Sequence, residues 1–170
     1  MKQIGTKTLT TERLTLRLMQ PSDAADLFEG GILEKSLPDA EQAVENMMKY
    51  NDDPLNFHWI LEYEGKAIGR IKVWEMHPTN NYAQLGYDLS VSFRNRGFMT
   101  EALKAVLDYL LLSAEFTHVY CMVRTSNLPS LRVCQKAGMM EEGRMRKHWL
   151  EPDGTFTDVV IYGALAEDRR

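Results

Sequence analysis

Residues 82–103 read Tyr82-Ala83-Gln84-Leu85-Gly86-Tyr87-Asp88-Leu89-Ser90-Val91-Ser92-Phe93-Arg94-Asn95-Arg96-Gly97-Phe98-Met99-Thr100-Glu101-Ala102-Leu103. A strand over Tyr82–Val91 runs into a basic loop with one glycine, and a helix follows at once over Thr100–Ser113. Ala102, Val106 and Leu110, with Leu103 and Leu107, give that helix one apolar face. The first amides of a helix have no intrahelical acceptor, and its dipole makes that end positive. Such an end receives phosphate. Gly97 lets the backbone approach an anion and take positive φ, and Arg94 and Arg96 add charge. No Gly-Lys-Ser/Thr follows, so this is not a P-loop; one glycine where three are needed excludes the dinucleotide fingerprint. Read alone, the segment is either a pyrophosphate site or an ordinary strand-to-helix turn with exposed arginines.

Upstream, two strands are expected over Phe57–Tyr63 and Ala67–Glu75, joined at Glu64-Gly65-Lys66. Pro78-Thr79-Asn80-Asn81 makes a looser turn into Tyr82–Val91, so three successive strands are antiparallel neighbours. Earlier still, Leu14, Leu16 and Leu18 alternate with polar residues and predict a strand over Arg13–Met19. Pro21-Ser22-Asp23 opens a helix stopped by Gly30-Gly31. A second helix follows Pro38, with Ala40, Ala43, Val44, Met47 and Met48 in a stripe read as core. Downstream, a strand over Thr117–Arg124 and a helix over Leu128–Lys136, closed by Gly138, precede a hairpin. Its strands, Gly143–Leu150 and Phe156–Leu165, flank Pro152-Asp153-Gly154. Helix and strand signals alternate without a linker or repeat, so one α/β domain over residues 1–170 is expected.

The bulk properties narrow the function classes. Of 170 residues, 44% are hydrophobic and 26% charged, which fits a globular chain. No apolar run is long enough to span a bilayer, and Met1–Thr10 lacks the apolar stretch of a secretory signal. Two cysteines, Cys121 and Cys134, supply neither a disulfide framework nor metal-ligand spacing, so no metal is expected. A cytoplasmic setting is the default. The net charge of −4 argues against general attraction to nucleic acid and suits a cationic substrate.

The chain resembles the GNAT superfamily of acyl-CoA N-acyltransferases, and within it the ribosomal-protein N-acetyltransferase branch (RimJ/RimL-like). The resemblance runs over nearly the whole sequence: Thr11-Glu12-Arg13-Leu14-Thr15-Leu16-Arg17, Gln84-Leu85-Gly86-Tyr87, Arg94 to Leu103, Asn127, Ser130, Lys136-Ala137-Gly138-Met139, Glu142-Gly143, and Asp158 before Tyr162-Gly163. It implies a GNAT fold: a mixed, mostly antiparallel sheet with a splayed parallel pair and about four helices. It further implies a transferase that moves acetyl directly from acetyl-CoA to a primary amine through a tetrahedral intermediate. The acceptor would be a protein N-terminal amine or a small-molecule amine. A non-catalytic acyl-CoA-binding sensor or partner module is the alternative, and a homodimer through the C-terminal strands is plausible in this family.

By the same resemblance, Leu89, Ser90 and Val91 pair with the pantetheine arm and supply the oxyanion donor. Arg94, Arg96, Gly97, Phe98, Met99 and Thr100 take the pyrophosphate, with Met99 where Gly or Ala is usual. Asn127 and Ser130 belong to the second cofactor motif, Ser130 near the thioester sulfur; Asn127 is equally a helix N-cap. Many relatives carry Glu at Gln84 and Tyr at Cys134. An amide cannot accept a proton at neutral pH, so Gln84 can only orient a water. Asp88, on the same strand face, and His58 are the candidate side-chain bases, beside a water relay or loss of the proton directly to solvent. Cys134 reads best as a buried structural thiol. Trp59, Trp74, His77, Tyr87, His148 and Trp149 are candidates for the acceptor side, as are the loops Gly30–Pro38 and Met76–Tyr82.

Overall fold

The computed structural model describes residues 1–33 and 36–169. Part of the expected acceptor loop, Glu34 and Lys35, therefore lies outside the described residues. The chain forms two compact units: a first of residues 3–73 and 87–106, and a second of residues 1–2, 74–86 and 107 onward.

The first unit opens with β1 (Leu9–Thr10) and β2 (Thr15–Arg17). The strand expected over Arg13–Met19 starts only at Thr15, because Thr11 folds back on Leu14, and it ends at Arg17. The Thr11 amide donates to the Leu14 carbonyl at 2.9 Å, and the Leu14 amide donates to Thr11 Oγ1 at 3.0 Å. Then come α1 (Asp23–Glu29) and α2 (Leu37–Met48). Asp23 is buried at the start of α1, where its carboxylate accepts from the Gln20 amide at 2.7 Å and from both terminal nitrogens of Arg17. Asp23 and Glu62 together raise the Arg17 pKa, against the cost of burial. Ser36 caps α2 by accepting from the Asp39 amide, with Pro38 in the first turn. The stripe Ala40, Ala43, Val44, Met47 and Met48 packs with Met19, Ala24, Leu27 and Ile60, so the methionine pair is core.

β3 (His58–Tyr63) and β4 (Lys66–His77) form the expected hairpin, with Glu64 and Gly65 both at positive φ, as a tight two-residue turn requires. β5 spans Tyr82–Leu89, and α3 spans Phe98–Asp108. β4, β5 and α3 contribute residues to both units. Neighbour order in the first unit is β1-β2-β3-β4-β5. Two boundaries near the glycine loop differ from expectation. β5 stops at Leu89 rather than Val91, because the chain turns through a short 3₁₀ segment over Val91–Phe93. α3 starts two residues early and ends in a π turn over Tyr109–Ser113, where the Ala114 amide reaches back five residues to the Tyr109 carbonyl.

The second unit adds β6 (His118–Arg124), α4 (Leu128–Lys136), β7 (Met140–Leu150) and β8 (Phe156–Leu165), in strand order β4-β5-β6-β8-β7. β5 and β6 are parallel over three pairs only: Tyr82↔His118, Ala83↔Val119 and Gln84↔Tyr120. β6 continues to Arg124, antiparallel to β8 along its full length. The result is the expected mixed sheet with one parallel pair among the described residues. β7 begins three residues before the expected Gly143, and Gly154 turns the hairpin at φ 84°. No helix among the described residues is long and apolar enough to cross a membrane.

Candidate functional site

The first unit carries the basic glycine loop. Gly97 has φ 82°, a left-handed conformation that a side chain would strain, and it precedes Phe98, the first residue of α3. The first intrahelical bond runs from the Glu101 amide to the Gly97 carbonyl at 3.0 Å. The amides of Gly97, Phe98, Met99 and Thr100 therefore have no acceptor inside the helix. Phe98 and Met99 turn their side chains into the core, so only main chain is presented at those two positions. Met99 in place of Gly or Ala thus leaves the donors intact.

The two loop arginines have separate tasks. Arg94 Nε donates to the Leu89 carbonyl at 3.1 Å and fastens the loop to the end of β5. Arg96 is exposed, with its guanidinium carbon 4.9 Å from the Phe98 ring centroid, 5.6 Å from Phe93 and 5.7 Å from Tyr63. It is held by cation–π contacts and remains solvent-accessible. At the strand end, Ser90 is buried and its amide donates to the Ile68 carbonyl at 2.9 Å. Its Oγ would lie 2.0 Å from a Cβ at Gly30, so this serine faces the end of α1. Val91 is exposed.

The carboxylate and imidazole candidates on these strands fare differently. Asp88 Oδ2 accepts from Arg70 Nε at 2.8 Å and remains half exposed. His58 is buried, and burial, with Arg70 and Lys72 adding to it, pushes its pKa down to about 3. Its Nε2 has no hydrogen-bond partner. So weak a base takes no proton from an ammonium at neutral pH, and His58 is a core residue.

The second unit carries the remaining candidates. Gln84 sits at the last parallel pair, and Tyr120 opposite donates its hydroxyl to Gln84 Oε1 at 3.1 Å. Burial raises the Tyr120 pKa, and Glu75 adds to the shift. Tyr120 stacks on His118 at 5.5 Å and lies 6.0 Å from Tyr82, which stacks on His77 at 5.1 Å. Asn127 is the N-cap of α4 and accepts from the Ser130 amide at 3.3 Å, with Pro129 in the first turn. Ser130 therefore lies in the first turn of that helix. Cys134 is fully buried beside Cys121, whose thiol is raised by burial and by that neighbour. No cluster of three or more ligating side chains for a metal occurs among the described residues.

The aromatic candidates separate cleanly. Trp59 is fully buried, and its indole donates to the Lys7 carbonyl at 2.8 Å. Trp74 is exposed and lies over Gly86, where a Cβ would meet Nε1 at 2.3 Å. His148 is exposed, and Trp149 lies under the Arg124 guanidinium. Sequence reading missed Tyr120 as the partner of Gln84. Arg13 escapes it too: Arg13 Nη1 donates to the Arg96 carbonyl at 2.9 Å.

A sequence model described as an acetyltransferase (GNAT) domain matches residues 13–140. The chain is 31% identical over 169 residues to the SPbeta prophage-derived uncharacterized N-acetyltransferase YokL of Bacillus subtilis (strain 168), covering 94% of this chain and 93% of that one. It is 26% identical over 106 residues to the ribosomal-protein-serine acetyltransferase of Escherichia coli (strain K12), covering 62% and 59%. In fold it is similar to RimL, a ribosomal L7/L12 alpha-N-protein acetyltransferase solved with coenzyme A. The TM-score is 0.82 and the identity 18%, with 96% of this chain and 100% of that chain covered.

Proposed function

The chain belongs to the GNAT acetyltransferase family, and from that premise we propose that it is an acetyl-CoA-dependent N-acetyltransferase working as one catalytic domain. The acceptor is a primary amine, on a protein N-terminus or on a small molecule. The observation that carries this reading is the loop Arg94–Thr100. Its Gly97 is at positive φ, the amides of Gly97 and of the three residues after it have no helical acceptor, and an exposed arginine stands beside them. That donor set fits the pyrophosphate of coenzyme A.

Acetyl-CoA supplies an activated acyl thioester; the chain supplies placement, dipoles and proton handling. The amides of Gly97 to Thr100 hold the pyrophosphate, and Arg96 adds positive potential. The main chain at Leu89 and Val91 aligns the pantetheine arm and donates to the oxyanion. Ser90 is left out because its amide already serves Ile68. Asn127 fixes the start of α4, and Ser130 stabilises the departing thiolate. Gln84, held by Tyr120, orients a water that carries the amine proton away. Asp88 is the carboxylate alternative, tied to Arg70.

The test is calorimetric titration with acetyl-CoA of the wild type and a Gly97→Trp variant, then release of free thiol across an amine panel. Binding lost in the variant and thiol release with at least one amine support the reading. A folded wild type that binds no acetyl-CoA overturns it. Binding without turnover across the panel favours the acyl-CoA-binding module. The amide at Gln84 and the buried Cys134 are what support that second reading.

A further inference from the structure

We infer that Arg13, held by Glu101, is the positioning residue that aims the phosphate-binding amides of the glycine loop. The inference rests on the acetyl-CoA reading above. Arg13 comes from the turn between β1 and β2, more than eighty residues before the loop, and its side chain bridges two parts of the loop-helix junction. Nη1 donates to the Arg96 carbonyl at 2.9 Å. Nε and Nη2 both reach Glu101 Oε2 at 2.7 Å. The guanidinium carbon lies 4.3 Å from the centroid of buried Phe98. All three parts of the fork are engaged, so Arg13 is a brace rather than a free cation.

The brace fixes more than one carbonyl. A trans peptide is planar, with its C=O and N–H pointing in opposite directions. Pinning the Arg96 carbonyl towards Arg13 therefore turns the Gly97 amide the other way. Gly97 completes the arrangement, because a Cβ there would lie 3.3 Å from Arg13 Nη2. Glu101 is itself immobilised. Its Oε1 accepts from the Thr11 hydroxyl at 2.6 Å and from the Arg13 amide at 2.8 Å. Only 16% of its side chain is exposed. The carboxylate stands in the first turn of α3, where the dipole favours it. Arg13 also neutralises it, so an anion arriving at the loop meets no bare negative charge. The Thr11-Glu12-Arg13 motif thereby acquires a task at a site far from it in sequence.

Lysine cannot replace Arg13 in this role. A single ammonium cannot bond a carboxylate edge and a carbonyl in the same fixed plane. The experiment compares equilibrium binding of coenzyme A and of pantetheine, which lacks the pyrophosphate, to the full chain. Wild type, Arg13→Ala, Arg13→Lys and Glu101→Gln are used, and thermal unfolding without ligand checks that each is folded. The expected result is a loss of about tenfold or more in coenzyme A affinity for both Arg13 variants, with pantetheine binding unchanged. Glu101→Gln should lose less, because its amide oxygen still accepts. Unchanged coenzyme A affinity in folded Arg13→Ala overturns the inference. So does an equal loss for both ligands, which marks a general structural defect. A folded wild type that does not bind coenzyme A more tightly than pantetheine sinks instead the acetyl-CoA reading beneath it.

Discussion

Tyr120 donates its hydroxyl to the Oε1 of Gln84 at 3.1 Å, on the last rung of the parallel ladder between β5 and β6. The phenol occupies the amide oxygen and so directs the amide NH₂ away from it. Tyr120→Phe keeps the ring and its stacking but frees that oxygen to turn. One neutral hydrogen bond contributes about 1 kcal/mol, which corresponds to roughly fivefold in rate. The expected outcome is kcat lowered by about that factor with KM for acetyl-CoA unchanged, measured by thiol release on the best amine of the panel. Equal kcat for the two proteins would show that the orientation of Gln84 is irrelevant to turnover.

Buried His58 makes stability depend on pH. Its pKa is about 3 in the fold against an ordinary value of 6.5, so only the unfolded chain binds a proton between those limits. Its stabilising contribution is complete above pH 6.5 and is lost as pH falls towards 3. The slope of that loss approaches about 1.4 kcal/mol per pH unit for one proton. Urea unfolding at pH 7, 6 and 5 should show stability falling with pH in the wild type, more steeply from pH 6 to 5 than from 7 to 6. A folded His58→Gln variant should show a shallower decline by one proton.

Glu101 gives a second window, lower on the scale. Its pKa lies below the ordinary 4.5 because the Thr11 hydroxyl, the Arg13 amide and the Arg13 guanidinium outweigh its desolvation. A depressed carboxylate stabilises the fold above its unfolded value and loses that contribution as pH falls through the folded value. Wild type should therefore exceed Glu101→Gln in stability at pH 6, and the gap should close below pH 4.5. A gap that stays constant down to pH 3 would assign the loss to packing instead of charge.

Gly30 and Ser90 form a contact that no larger residue fits. A Cβ at Gly30 would lie 2.0 Å from Ser90 Oγ and 2.8 Å from Ser90 Cβ, and Ser90 is buried. Gly30→Ala should cost about 1–3 kcal/mol through overpacking. Removing the obstacle in the double variant Gly30→Ala/Ser90→Gly should recover part of it, because neighbours in contact are not additive. Denaturant midpoints of the four proteins in the cycle decide this. Additive losses would mean that Ser90 is not the obstacle.

Sequence patterns reached the elements and not the contacts between them. The helix after Gly97, the Glu64-Gly65 hairpin and the Asn127 cap are local signals, legible within a few residues. The end of β5 was not. Leu89, Ser90 and Val91 continue the alternation, but the Ile68 carbonyl captures the Ser90 amide before the chain turns into 3₁₀ geometry. The hydroxyl of Tyr120 reaches Gln84 because the parallel ladder sets them opposite each other, and register between distant strands leaves no trace in either segment. Arg13 has the same difficulty: its partners stand at Arg96 and Glu101. His58 has alternation on its side and still belongs to the core, because burial rather than period decides its chemistry.

The π turn over Tyr109–Ser113 holds one residue more than an α-helical turn would need. It acts as a spare link in the chain. Tyr109, Leu110 and Leu111 are buried there, whereas Leu112 is solvent-facing. Deleting Leu112 should let the segment relax to ordinary helical winding while Phe116 and β6 keep their places. Single-residue length changes, which ruin most helices by rotating every later side chain, have a point of entry here.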